Sequence, residues 1–326
     1  MRIVVIGGTG HIGTFLVPRL VALGHEVIVL SRGRSRPYQF AGGWSRVRTV
    51  QVDREAEDAA GDFGERVARL DADAVVDLIC FTEDSSRQLA EALEGRVRHL
   101  LHCGTIWAHG PSGAVPTTED APRRPLNSYG IQKAAIERDL LGRAHDGRLP
   151  ATVIHPGHIS GPGWVPINPA GNVDLSVFQR LADGERVALP HLGLETLHHV
   201  HAADVAGVFL AALAHHSVSV GESFHAVGSQ AATLRGYAEA AAGWFGREAD
   251  LAFLPWEEWR RDVPADQAAI TWDHLSNSQH CSMAKAERLL GFRPRYSGLE
   301  AAADAVRALV DAGRVVVAGA ETTPTE

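Results

Sequence analysis

Tyr129 and Lys133 stand four residues apart in "NSYGIQKAAIE" (127–137), a stretch of helical composition, so their side chains share one face, one turn apart. The amine is conspicuous, because the chain writes its cations as 29 arginines and two lysines. An isolated phenol ionises near pH ~10, and an adjacent ammonium favours its anion, which would bring a general acid/base towards neutral pH. An ammonium is also compact enough to donate to two vicinal ribose hydroxyls, where the broad guanidinium fork is not. The pair therefore predicts proton transfer beside a ribose. The alternative is a surface cation on an exposed helix.

A source for that ribose lies near the N-terminus. In "GGTGHIG" (7–13), Gly7, Gly10 and Gly13 fall three apart, with Thr9, His11 and Ile12 between them. The first glycine permits a sharp turn, the second lets the backbone approach a pyrophosphate, and the third lets helix and strand pack closely. An ordinary tight turn would use the same residues; placed between a strand and a helix, they predict dinucleotide binding. The second strand ends in "VLSRGRSRP", with Ser31 where an NAD-binding carboxylate would stand and Arg32, Arg34 and Arg36 close behind. Guanidinium groups pair with a 2′-phosphate that a carboxylate would repel. NADP(H) is therefore favoured and NAD(H) is the second choice, a solvated arginine loop being the bland alternative. Asp53, after the third strand, is placed to accept from an adenine amino group or to cap the next helix.

These residues need a frame. Short β-branched runs at 2–7, 25–30, 47–52, 73–79, 97–103 and 151–155 alternate with segments of helical spacing. That alternation predicts an α/β fold with a doubly wound parallel sheet. In the first helix Ile12, Phe15, Leu16, Leu20 and Leu23 form the apolar side and Gly24 closes it. At 326 residues the chain exceeds what one core usually fills, so a second, smaller mixed α/β lobe is expected. Hydrophobic content of 45% and charged content of 21% exclude a disordered or fibrous chain. The net charge of −8 argues against nucleic acid, and no apolar run is long enough for a membrane span or a signal-peptide core. Cys80, Cys103 and Cys281 follow no metal or disulfide spacing, which fits a cytoplasmic protein. His198, His199 and His201, and His274, His280 and Cys281, are close in sequence but lack a completing carboxylate, so no metal is expected. Only "AETTPTE" (320–326) reads as a loose tail.

The chain resembles the extended short-chain dehydrogenases/reductases, which include nucleotide-sugar epimerases and dehydratases. The resemblance rests on "GGTGHIG" (7–13), "HCGTIWAHG" (102–110), "YGIQK" (129–133), "HPGHISGPG" (155–163), "HVHAADVA" (199–206) and "MAKAERLLGFRPRY" (283–296). It implies a Rossmann domain over 1–160 with 196–228 returning to it, and a substrate-binding lobe spanning most of 161–326. It also implies hydride transfer at a nicotinamide, with Tyr129 moving the proton, Lys133 fixing the ribose and Thr105 orienting a carbonyl or alcohol substrate. Pro156, His158 and Ile159 would lie in the loop over the nicotinamide. A homodimer through two helices is implied as well, and Leu89, Leu93, Ile136 and Leu140 would either form that interface or pack on the sheet.

The chain departs from the family at several places. Dehydratases follow the Thr with Asp and Glu; Ile106 and Trp107 stand here, which disfavours water elimination. His158 replaces the Asn usual in nucleotide-sugar enzymes, and Leu197 their Arg, so Arg260, Arg261 or Arg295 would have to grip a diphosphate. Trp164, Trp256, Trp259 and Trp272 are core or substrate platform, and "LPWEEWRRD" is a cover over the substrate or a packed amphipathic helix. Three functions compete: an NAD(P)-dependent reductase or dehydrogenase, a sugar-nucleotide epimerase with tightly held cofactor, and a non-catalytic NADP(H)-sensing or RNA-associated protein.

Overall fold

The computed structural model describes residues 1–38 and 41–317; the tail at 320–326 lies outside them. Strands β1 (Arg2–Ile6), β2 (Glu26–Ser31), β3 (Arg48–Gln51), β4 (Ala74–Asp77), β5 (His99–Cys103) and β6 (Ala151–Pro156) join the strand Ser223–Ala226 in one sheet. Its order is Ser223–Ala226, β6, β5, β4, β1, β2, β3, and every pair is parallel. Parallel neighbours require crossovers. These contain α1 (His11–Ala22), α2 (Arg54–Ala60), α3 (Phe63–Ala68), α4 (Glu83–Leu93) and α5 (Ser128–His145). The chain runs outward from β1 to β3, then returns to β4 on the other side. The strand order therefore reverses between β1 and β4, the place where such sheets open a ligand crevice at their carboxyl ends.

The sheet rows Val4, Ile6, Ile28, Leu30, Val75, Leu100 and Val153 are buried against Phe63, Val67, Leu89, Leu93, Ile136 and Leu140 from the helices. Each such side chain contributes about 1.5–3 kcal/mol of burial. The four leucine and isoleucine positions considered for a dimer face are thus spent inside one chain, each at most 1% exposed, and offer nothing to a partner. Leu23 also differs from expectation: it caps α1 and is 64% exposed, while Val17 and Val21 complete the buried side.

Two compact units result. The first comprises Met1–Gly157, Ala202–Val227 and Cys281–Arg295. The last segment departs from the sequence-based boundaries, which left it in the substrate lobe. It belongs here because the Asp204 carboxylate accepts from Arg295 N (2.9 Å) and Phe292 packs on Gly207, where a Cβ would come within 2.4 Å of the ring.

The second unit comprises, among the described residues, His158–His201, Gly228–His280 and 296–317. It holds three two-stranded sheets: His158–Ser160 with His199–His201, Thr196–Leu197 with Ala232–Thr233, and Val187–Pro190 with Leu251–Leu254. Phe178, Leu189, Tyr237, Leu275 and Leu309 form its core, with Trp259 2% exposed and its indole donating to Ala188 O (2.9 Å). Trp256 stacks on Trp259, so "LPWEEWRRD" packs on its own unit through a short helix, Trp256–Trp259. Trp164 and Trp272 are both 52% exposed.

Candidate active site

The turn after β1 is built for close backbone approach. Gly7 has φ +79°, and a Cβ on Gly13 would sit 2.1 Å from Gly8 O, so no larger residue fits where α1 meets the strand. Gly10 caps α1 without a side-chain hydrogen bond, which leaves the first-turn N–H groups of His11 and Ile12 facing outward from the helix end as anion donors. Thr9 lies in the same turn, and His11 Nδ1 hydrogen-bonds the Tyr38 hydroxyl. These features fit a dinucleotide pyrophosphate.

At the end of β2, Ser31 is buried and its Oγ accepts from Gly33 N (3.3 Å); Arg32, Arg34 and Arg36 are exposed on the loop that follows. Of the two roles open to Asp53, the capping one is present: its carboxylate accepts from Ala56 N (3.4 Å) at the start of α2.

Thr105, Tyr129 and Lys133 come together beyond the carboxyl end of β5. Asn127 caps α5 by accepting from Gly130 N (2.9 Å), which starts the helix just before Tyr129. Thr105 Oγ1 accepts from Trp107 N (3.3 Å), and its side chain lies near enough to the Tyr129 phenol to favour the phenolate. Lys133 Nζ is 5.9 Å from the Tyr129 ring centroid and 5.2 Å from that of Phe81. Lys133 is 1% exposed, and its ammonium donates to two backbone carbonyls, Cys80 O (2.7 Å) and Cys103 O (2.6 Å).

That geometry corrects the expected electrostatics. The phenol is pushed up, to about 12, first by burial and then by Cys103; the Thr105 side chain pulls the other way. Burial also pulls the Lys133 ammonium down. Tyr129 is nonetheless 37% exposed, its ring 6.5 Å from that of Phe81 and 6.0 Å from that of Trp107. Desolvation disfavours an anion more than an ammonium held by carbonyls favours it.

Sequence reasoning passed over the residues behind Thr105. His155, at the end of β6, accepts the Thr105 N–H on Nδ1 (3.0 Å), and its Nε2 faces Glu137 Oε1 at 3.0 Å. Glu137 also takes two hydrogen bonds from Arg123, whose other arm donates to His109 Nδ1 (3.1 Å). A signal existed: Glu137 lies one further turn along the face of Tyr129 and Lys133.

Pro156 ends β6 in the first unit, whereas His158 and Ile159 lie on the strand His158–Ser160 of the second. His158 accepts from His198 N (3.1 Å), and burial among His274, His199 and His198 holds it well below the usual histidine range. His198, His199 and His201 each turn to a different partner: Gly228 O, Ile167 O and the Asp304 carboxylate. Among the described residues no three His, Cys, Asp or Glu side chains converge as a metal ion requires. No helix among them is long and apolar enough to cross a membrane.

Residues 3–226 match the NAD dependent epimerase/dehydratase family. The chain belongs to that family. As a member it shares NAD(P) dependence and the extended short-chain dehydrogenase/reductase architecture. A 2′-dehydrokanamycin reductase of Streptomyces kanamyceticus is 33% identical over 159 residues, which cover 49% of this chain and 43% of that protein, less than half of its length. The chloroplast stem-loop binding protein of 41 kDa b of Arabidopsis thaliana is 26% identical over 96% of this chain and 80% of its own. The structure of a UDP-glucose 4-epimerase with UDP-glucose from Thermotoga maritima matches with a TM-score of 0.72 at 21% identity, covering 96% of this chain and 99% of that one, a likeness of fold.

Proposed function

We propose that the chain is an NADP(H)-linked reductase or dehydrogenase acting on a carbonyl or secondary alcohol. The observation that carries this reading is the convergence of Thr105, Tyr129 and the buried Lys133 at the carboxyl end of β5, with Lys133 Nζ 5.9 Å from the Tyr129 ring centroid. When bound, the nicotinamide supplies or accepts the hydride. Tyr129 gives its proton to the substrate oxygen during reduction and takes it back during oxidation. Thr105 holds that oxygen in line with the phenol. Lys133, with two N–H bonds committed to carbonyls, keeps one for a ribose hydroxyl. A phenol pushed up to about 12 is protonated at neutral pH, which suits the reductive direction. Ser31 and the exposed Arg32 and Arg34 support NADP(H). Ile106 and Trp107 supply no proton-exchanging group after Thr105, which disfavours dehydration.

An epimerase that retains its nucleotide is the second reading, favoured by the epimerases among its relatives, a UDP-glucose 4-epimerase of Streptomyces lividans being 26% identical over 65% of this chain. Firmly bound nucleotide in the purified protein, with no net change in reduced cofactor during turnover, would select it. The stem-loop binding relative raises an RNA-associated role, against which the charge of −8 argues. The deciding experiment is Tyr129→Phe: turnover falls by about 10³-fold while NADP(H) affinity stays within a few-fold. A variant that keeps its turnover would refute the acid/base role.

A further inference from the structure

Thr105 is held from behind by a structure with no part in the chemistry proposed so far. Its N–H donates to His155 Nδ1, 3.0 Å away in the protein interior. An N–H donates only to a nitrogen that carries a lone pair, so the ring proton of His155 sits on Nε2. That nitrogen lies 3.0 Å from Glu137 Oε1, at ion-pair distance but out of line for a hydrogen bond, and both side chains are buried, at 0% and 4% exposure. Glu137 is fixed in turn by Arg123 Nε (2.6 Å) and a second Arg123 N–H. The close approach is provided for on the other side: a Cβ at Gly104 would come within 2.5 Å of His155 Nδ1, so this position admits the imidazole only as glycine. Tyr129, Lys133 and Glu137 follow one another at four-residue intervals on α5.

We propose that Glu137 and His155 form a positioning dyad that locks Thr105 in register with the Tyr129 phenol. The Glu137 carboxylate favours the imidazole proton on the nitrogen beside it, the imidazole holds the Thr105 backbone, and the threonine hydroxyl is thereby kept beside the phenol. One helix carries both the proton donor and the carboxylate that aims its partner, so a shift of α5 moves both together. The other titratable groups near His155 are His109 and His225, with ring centroids 6.1 and 6.2 Å away, and His102 and Glu119, which are within electrostatic reach. This inference rests on the reading of Thr105 and Tyr129 as the reacting pair.

The test compares His155→Phe, which removes the acceptor, with His155→Asn, which puts an oxygen near the place of Nδ1. In His155→Phe, kcat falls about 100-fold with the cofactor KM moved less than about three-fold. His155→Asn recovers at least about a tenth of the lost kcat. Identical kinetics in the two variants would overturn the dyad. Two measurements stand apart from activity. Nitrogen NMR of the wild-type protein finds His155 protonated on Nε2, and a proton on Nδ1 overturns the proposal without any variant. The Thr105 amide exchanges with solvent about ten-fold or more faster in His155→Phe than in wild type, and unchanged exchange has the same force. A wild-type protein that turns over no carbonyl or alcohol sinks the functional reading, while tautomer and exchange still judge the dyad.

Discussion

Lys133 is the residue on which local chemistry and packing pull in different directions. Its ammonium is taken out of water and given two carbonyl acceptors, so its hydrogen bonds are charge-assisted and its removal strands Cys80 O and Cys103 O. Lys133→Met therefore loses about 1–3 kcal/mol for each stranded carbonyl, read as a lower unfolding midpoint, in addition to lost turnover. Tyr129 makes a pH prediction whose sign follows from its upward shift. Below about 12 the phenol carries its proton, so carbonyl reduction stays level through neutral pH. Alcohol oxidation, which needs the phenolate, climbs about ten-fold per pH unit over the same range. A reduction rate that fell as pH rose through neutrality would show a phenol acidified by its surroundings instead.

At the level of elements, the turn between β1 and α1 tolerates no added atom. Gly13→Ala would place its Cβ against the Gly8 carbonyl, which is backbone and has no rotamer to move aside. Its expected effect is a marked loss of both stability and cofactor affinity, measured by thermal melting and nucleotide titration. The loop after β2 behaves oppositely, because its arginines are exposed and carry no packing. Arg32→Ala and Arg34→Ala leave the unfolding midpoint within about 0.5 kcal/mol of wild type and weaken NADP(H) binding about ten-fold each, with NAD(H) binding unaltered. Equal weakening of both nucleotides would remove the 2′-phosphate role from this loop.

Across the whole molecule, buried imidazoles set the acid limit of stability. Burial holds His99, His109 and His199 down to about 3 and His198 to about 4, with His102, His158 and His225 well below their ordinary range. In each, the folded value lies below the unfolded ~6.5, so the unfolded chain binds the extra proton. Their stabilisation is complete above pH ~6.5 and is lost as pH falls from there towards ~3, at up to about 1.4 kcal/mol per group per pH unit. Thermal melts from pH ~7 to ~5 should drop steeply, before most carboxylates titrate. A midpoint that stayed flat down to pH ~5 would mean that these rings find water or partners on protonation.

The alternation of β-branched and helical segments, the glycine turn and the Tyr129–Lys133 spacing were all legible in the residues themselves. Each depends on a period of two or four, or on one residue's backbone freedom, and those are local properties. Tertiary structure alone decided that the Lys133 ammonium binds two carbonyls rather than acidifying the phenol, and that Leu89, Leu93, Ile136 and Leu140 line one chain's core. It alone also returned Cys281–Arg295 to the first unit and set Glu137 and His155 behind Thr105. The reason is physical: desolvation and hydrogen-bond partnership depend on which atoms distant segments bring within about 3 Å, and no periodicity along a chain encodes that distance.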